Sequence, residues 1–471
     1  MARRPNPQLT FADAEFRSQG ITLDKTLKAI SDFLEAEGEL VDKVHQDLVR
    51  GLKRPATGRN GMTASRVLRS FILYRIKNWD LRELRERIAD GFTLRLFTDF
   101  GASPIPSHQT FNRSFNRLTP ETLRALNDAV VRAAVGLGLE DGKRLRVDTT
   151  VVEADIHFPT DCMLLWDTVR VITRLAHRLQ ARVPSRSAFP DRRRRARRRA
   201  QEISRMSPTE RQRQQKAKYR DIIRITREVI DNGHVLCDEA RAVKGLDPLQ
   251  ELIVRDLVEQ IQDFCDLGDR VVSQAHRRVF DEEKVAVEEK LFSIFEPHTD
   301  LIVRGKTQKP VEFGHKVFLA ESGAGLVTEY RILKGNPSDE DHVESSLECH
   351  RELFGTPPDL YAADRGFYSP GNVVLCNAGG VKMECIPLRG GKKTPEREAY
   401  EKGPAFKKGQ RFRAGIEGRI SVLFRGRGMK RCLREGLTRF EVFVGIAVLA
   451  NNLLKIGALL NKRSPRRKRT G

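Results

Sequence analysis

A period of two at Leu145–Val152 restricts most sharply how this chain can fold. Leu145, Val147, Thr149 and Val151 alternate with Arg146, Asp148, Thr150 and Val152, a β-branched pattern that predicts a strand. It sits between two long tracts of helical period. Before it, Leu68, Ile72, Leu81, Leu84 and Ile88 mark helical faces, and Thr119 and Pro120 open a further helix with a hydroxyl cap and a proline at the first position. After it, from Asp161 to about Phe295, Leu164, Leu165, Val169 and Ile172, then Ile222, Ile223, Val229 and Ile230, then Leu249, Ile253, Leu257 and Ile261 keep the same period. Strands resume at Leu301–Val303, and Lys316–Ala320 faces Gly325–Leu333 across a turn, as in a hairpin. A helix over His342–Phe354 follows, then a short apolar strand, Leu360–Ala363, ending at Asp364. A helix opening at Ser369 and Pro370, a strand over Val381–Ile386, a loop over Leu388–Lys408 and an amphipathic helix with Ile416, Ile420, Leu423 and Phe424 complete the order. The expected class is α/β, a mixed sheet flanked by helices. An all-helical N-terminal domain precedes it, and a large helical insertion follows its first strand.

The expected divisions are an N-terminal helix and linker over 1–60, a helical domain over 61–140, an α/β domain over 141–460 with its insertion at about 161–298, and a basic tail over 461–471. In the first, Leu27, Ile30, Leu34, Val41, Val44 and Leu48 form a seam on one predicted helix, about 22–52, which could pair with a second copy or pack on the next helices. Lys53–Gly61 has linker composition. In the second, Pro106, Ser107, His108, Gln109, Thr110, Phe111, Asn112 and Arg113 give a marked helix entry followed by polar side chains. That pattern suits the recognition helix of a helix-turn-helix, with Ser107, Gln109, Asn112 and Arg113 facing DNA, and equally a plain capped helix.

A formal charge of +22 over 471 residues points to a polyanionic partner. Seven arginines within Arg192–Arg199 and six positive charges within Lys462–Arg469 concentrate it, and phosphate contact is the use expected of them. Seven cysteines, an odd number with no Cys-x-x-Cys pair, argue against a disulfide framework or zinc site and predict reduced thiols in the cytoplasm. The polar N-terminus has no signal-peptide pattern. Phe440–Leu460, interrupted by Glu441, Asn451, Asn452 and Lys455, reads as a buried core helix, not a membrane span.

Three acids fall at telling places: Asp148 inside the first strand, Asp364 at the end of the strand after the hairpin and helix, and Glu417 on the late amphipathic helix. An acid inside a core strand is costly unless paired or metal-bound. The end of a strand in an open α/β sheet is where ligand sites lie. Two-metal phosphoryl transfer needs carboxylates from separate elements, and magnesium prefers such oxygen ligands without His or Cys. Arg413 stands four residues before Glu417, so a plain helical salt bridge is the competing use of that glutamate. His157, His298 and His315 read as satisfied polar residues. Asp161 reads as a helix cap.

The segments Leu145–Glu153, Ile156–Asp161, Val303–Lys306, Val311–Lys316, Tyr361–Tyr368 and Arg413–Arg419 together resemble the DDE transposases of bacterial insertion sequences, in particular the ISNCY-type group and its relatives. The resemblance covers about 60–455 in scattered blocks. It implies a ribonuclease-H-like catalytic domain, two Mg2+ ions (Mn2+ as a substitute) held by Asp148, Asp364 and Glu417, and metal-dependent DNA cleavage and strand transfer. It also implies DNA as partner, a homodimer or higher in the active complex, and a nucleoid-associated place in the cytoplasm, with Arg413, Lys316, Arg365 and Arg425 near the DNA. Arg413 and Glu417 match the Arg-x-x-x-Glu part of a Tyr-Arg-Glu-Lys signature. Gln410 and Phe424 stand where its tyrosine and lysine would be, with Arg425 beside the latter. A catalytically inactive DNA-binding descendant, or a nuclease on the same fold, are the competing readings.

Overall fold

A computed structural model describes residues 11–53, 61–185, 187–303 and 310–463. Two compact units divide the chain, one of residues 1–153 and 315–471, the other of residues 154–314. Among the described residues, helices hold 62%, and seven strands form one mixed sheet flanked by them.

In the first unit the described helices before the sheet are α1 (Phe11–Ser18), α2 (Lys25–Ala36), α3 (Gly38–Val49), α4 (Ala64–Lys77), α5 (Leu81–Asp90), α6 (Phe92–Phe97), α7 (His108–Phe115) and α8 (Pro120–Gly136). The single helix expected over 22–52 is broken at Glu37, whose backbone leaves helical geometry, so the seam is split between α2 and α3. Its buried residues Leu27, Ile30, Leu34, Val44 and Leu48 pack into a core inside the unit. Only Lys53 and Gly61 of the expected linker are among the described residues.

The first strand, β1 (Arg144–Ala154), is slightly longer than its alternation predicts. The second unit then begins. Its helices are α9 (Asp161–Gln180), α10 (Arg193–Ser204), α11 (Pro208–Ala242) and α12 (Pro248–Val279). They bury one apolar core, and α9, α11 and α12 approach closely at two glycines. A Cβ on Gly268 would meet Thr168 Cγ2 at 2.6 Å, and one on Gly233 would meet Cys265 Sγ at 3.0 Å. The arginine run is ordered as α10, and much of its charge is spent inside the unit. Arg192 pairs with Glu228, Arg195 with Asp221, and Arg199 with both Asp221 and Glu202. Strand β2 (Asp300–Val303) pairs antiparallel with Val311–Gly314, the first residues of β3 (Val311–Ser322). Residues 304–306 lie outside the described residues.

Back in the first unit, β3 pairs antiparallel with β4 (Val327–Leu333), the expected hairpin. Then come α13 (Val343–Phe354), β5 (Leu360–Ala362), α14 (Pro370–Ala378), β6 (Met383–Cys385), α15 (Pro395–Lys402), α16 (Pro404–Gly426), β7 (Arg431–Cys432) and α17 (Leu437–Arg463). The strand order is β2-β3-β1-β5-β6, with β4 on β3 and β7 on β1. The expected loop over 388–408 is largely helical from Thr394 onward: Thr394 Oγ1 accepts from Arg397 N, and Pro395 opens α15.

Helix α17 is long and apolar enough to cross a membrane, but 78% of its most apolar window is buried within the protein. It packs on α2, α4, α8 and β4, sharing one core with the N-terminal helices. All seven cysteines are free thiols, and six are buried. The tail beyond Arg463 lies outside the described residues.

Asn452 on α17, with no exposed surface, joins three elements: its Nδ2 donates to Asn127 Oδ1 on α8 and to Val327 O on β4, both at 2.8 Å, and its Oδ1 accepts from Val327 N at 2.9 Å. An unmatched buried amide costs more than a hydrogen bond returns, so Asn452→Leu should destabilise the unit by about 2–4 kcal/mol. Urea unfolding of the variant against the parent chain measures this, and an unchanged midpoint would contradict it.

Candidate functional site

Backbone register sets the first two acids side by side. Strand β5 runs parallel to β1 with Arg144 opposite Leu360, Leu145 opposite Tyr361 and Arg146 opposite Ala362. Carried on past the end of β5, that register brings Asp364 next to Asp148. The third acid arrives on α16, which lies close to the sheet because it has glycine where it crosses. A Cβ on Gly409 would meet Cys385 Sγ of β6 at 2.2 Å, and one on Gly415 would meet Arg146 Nη1 of β1 at 2.1 Å. Glu321 on β3, with no exposed surface, completes the anchor. It accepts from Arg146 of β1 at 2.9 Å and from Arg419 of α16 at 2.8 Å, and Arg146 Nη1 donates to Phe412 O at 2.7 Å. Gln410 Nε2 donates to Ala363 O at 3.1 Å and also to Cys385 O, tying α16 to the ends of β5 and β6.

Arg413 is the focus of the acids. Its Nη2 lies 3.0 Å from Asp148 Oδ2, 265 residues away in sequence, and 3.5 Å from Asp364 Oδ2, while its Nη1 lies 2.8 Å from Glu417 Oε1. The helical salt bridge with Glu417 is thus present, and the same guanidinium also reaches the other two acids. Side-chain exposure rises from 13% at Asp148 through 37% at Asp364 to 65% at Glu417, so the cluster opens outward along α16.

A fourth acid, Asp339, is not among the candidates that the sequence marks. Its Oδ1 accepts from Thr149 Oγ1 and from the Lys316 ammonium, each at 2.8 Å, in the turn after β4. A Cβ on Gly366 would meet Asp364 Oδ1 at 2.9 Å and Asp339 Oδ2 at 3.0 Å, so the two carboxylates flank that glycine. The only sequence signal is the acidic run Asp339–Asp341, which resembles any solvated turn. Lys316 is buried, its ammonium taken by Asp339 and by Pro337 O at 2.7 Å; it holds the site together from beneath instead of presenting a free charge.

The remaining candidates lie elsewhere or at the edge. Arg365 is exposed beside Asp364, and Arg425 is exposed with its guanidinium on Ser421 Oγ. Ser107 stands at the start of α7 without capping it, its Oγ meeting Thr110 Oγ1. Gln109 and Arg113 are exposed on that helix, whereas Asn112 Oδ1 accepts from Arg434 at 2.7 Å. In the second unit, Asp161 is the first residue of α9 and accepts from Gln274 and Arg278. His157 pairs there with Asp167, which raises its pKa.

Among the described residues, no three His, Cys, Asp or Glu side chains stand close enough to hold a metal ion as they are. The point where three carboxylates converge is nevertheless already a cation site, filled by the Arg413 guanidinium. Hard carboxylate oxygens without nitrogen or sulfur are the donor set that Mg2+ takes. The donor chemistry suits a hard divalent ion, while the position itself is taken by the Arg413 guanidinium, whose buried Nε makes no hydrogen bond.

Burial pushes the Asp148 carboxyl up to about 6, opposed by the Arg413 cation and reinforced by Asp364 and Asp339. Between its ordinary value of 3.8 and about 6, the folded chain holds a proton that the unfolded chain has released, so stability falls as pH rises through this window. Above it the cost is constant, on the order of 3 kcal/mol. Asp148→Asn should therefore gain thermal stability over the parent chain at about pH 8 relative to about pH 4, in chelator. A difference between the two proteins that does not vary with pH would contradict the burial argument.

Comparison with protein-family models, curated proteins and solved structures finds no match, so the chemistry of the site rests on its own residues.

Proposed function

We propose that the chain is a DDE transposase that binds the ends of an insertion sequence and carries out metal-dependent DNA cleavage and strand transfer. The observation that carries this reading is the convergence of Asp148, Asp364 and Glu417 on one cation, from a central strand, a neighbouring parallel strand and a crossing helix. The order of strand, hairpin, helix, strand, helix, strand and helix supports a ribonuclease-H-like domain, interrupted after its first strand by the helices of the second unit. The charge of +22 suits a polyanionic substrate.

Asp148, Asp364 and Glu417 would hold two Mg2+ ions, with Mn2+ as a substitute. When bound, such ions supply an activated water and stabilise charge on the leaving oxygen. Asp148 must give up its proton to act as a ligand, which its partial burial delays to about pH 6. Arg413, released from the carboxylates, would turn its fork of donors to phosphate oxygens. Lys316 and Asp339, through Thr149, keep the residue after Asp148 fixed. Attack of water on a phosphodiester at the element's end breaks the bond to its 3′ oxygen and frees a 3′ hydroxyl. That hydroxyl then attacks a target phosphodiester, forming the new bond and releasing the target's own 3′ oxygen. No protein side chain is bonded to DNA along this route. Joining two ends calls for at least a dimer in the active complex, in a cytoplasmic, nucleoid-associated setting.

The test uses purified protein, linear DNA carrying the sequences that flank the gene, and Mg2+. Cleavage at the element's ends followed by joining is expected, and Asp148→Ala, Asp364→Ala and Glu417→Ala should each lower it at least about a hundredfold while DNA binding persists. Binding without cleavage would favour an inactive DNA-binding descendant. Cutting of hybrid or branched substrates without end preference or joining would favour a nuclease.

A further inference from the structure

Arg75, in the last turn of α4, is 3% exposed, and its Nε and Nη2 are buried without a hydrogen-bond partner. A buried guanidinium normally has an acid for a neighbour. Arg75 instead stacks on aromatic rings, 4.4 Å from the Phe443 centroid and 5.5 Å from that of Tyr74. It lines a cavity of about 30 Å³ together with Arg434, Thr438 and Arg439. Thr438 and Arg439 belong to the first turn of α17, a 27-residue helix, so the N-terminal turn of that helix borders the cavity.

A second, open groove of about 610 Å³ shares Tyr74, Asn116, Arg434 and Arg439 with this cavity and continues past Gln109 and Asn112 of α7. Arg434 is held in place between the two by Asn112 Oδ1 at 2.7 Å and Asn116 Oδ1 at 3.1 Å. Arg82, Arg434 and Arg439 outnumber Asp80 and Glu435 along the groove, so its lining carries a net positive charge toward a phosphate backbone.

We propose that Arg75, the start of α17 and Arg439 form a phosphate pocket that takes one backbone phosphate of a DNA strand lying along the α7 groove. Choosing DNA as the source of that phosphate rests on the function proposed above. The site is separate from the carboxylate cluster, and its role is binding, not catalysis. Burial lowers the Arg75 pKa, eased in part by Tyr74 and Cys432, as expected for a cation desolvated in advance of its partner.

The experiment combines a DNA-free and a DNA-binding arm on the full chain and on Arg75→Met. Without DNA, sulfate should raise the Tm of the parent chain above its value in chloride at equal ionic strength and leave R75M unmoved. R75M itself should melt higher than the parent, since an unpaired buried charge has gone. With a short duplex of arbitrary sequence titrated at several KCl concentrations, R75M should bind about tenfold more weakly, and the slope of log K against log salt should fall by about one. Arg439→Gln, on the exposed rim, carries the same expectation for the slope and covers the case in which R75M fails to fold. A parent chain indifferent to sulfate, or unchanged affinity and slope in both variants, would overturn the proposal and leave Arg75 as a packing group on Phe443. A parent chain that responds to sulfate but binds no DNA would keep the anion pocket and overturn the DNA source together with the proposed function.

Discussion

The close approach of α16 to the sheet is the constraint on which the carboxylate cluster depends. Two of its glycines, Gly409 and Gly415, leave no room for a Cβ against Cys385 and Arg146, so the helix axis can come in where a larger residue would hold it off. The buried Glu321 then fixes the helix along its length by accepting from Arg146 and Arg419 at once. A fully buried carboxylate is tolerable because two guanidiniums meet it. Only with α16 seated in this way can Arg413 reach both Asp148 and Asp364 while remaining bonded to Glu417 on its own helix.

This packing also explains the charge state of the cluster. Burial pushes the Asp148 carboxyl up, and the nearby Asp364 and Asp339 push in the same direction. Arg413 is the opposing influence. The cluster is thus built to hold a cation, and the guanidinium is bonded at the two ends of its fork but not at Nε. A compact divalent ion at the same focus would concentrate more charge on the same oxygens and leave the guanidinium for an incoming phosphate.

Much of this was legible because local pattern and spatial role coincided. The period of two made β1 visible and placed Asp148 inside it, the apolar run before Asp364 marked β5, and the apolar stripe of α16 carried Glu417 with it. Where role depended on distant partners, the sequence was silent. Asp339 reaches the site only because the turn after β4 folds back on Thr149 and Lys316. The arginine run reads as a solvated or phosphate-seeking segment until Glu228 and Asp221 of α11 are seen beside it. Helix α15 was hidden by a glycine- and lysine-rich setting that masked the cap at Thr394. The isolated Arg75 could not be read at all, since its neighbours in space come from α17 at the far end of the chain.

Mn2+ binding, followed by electron paramagnetic resonance on the DNA-free chain, addresses the carboxylate cluster most directly. Saturable binding near neutral pH is expected, lost in Asp148→Asn and in Asp364→Asn and strengthened in Arg413→Gln, where the competing cation is absent. Binding that is the same in all four proteins, or absent even when Arg413 is replaced, would contradict the claim that these acids form a divalent-cation site.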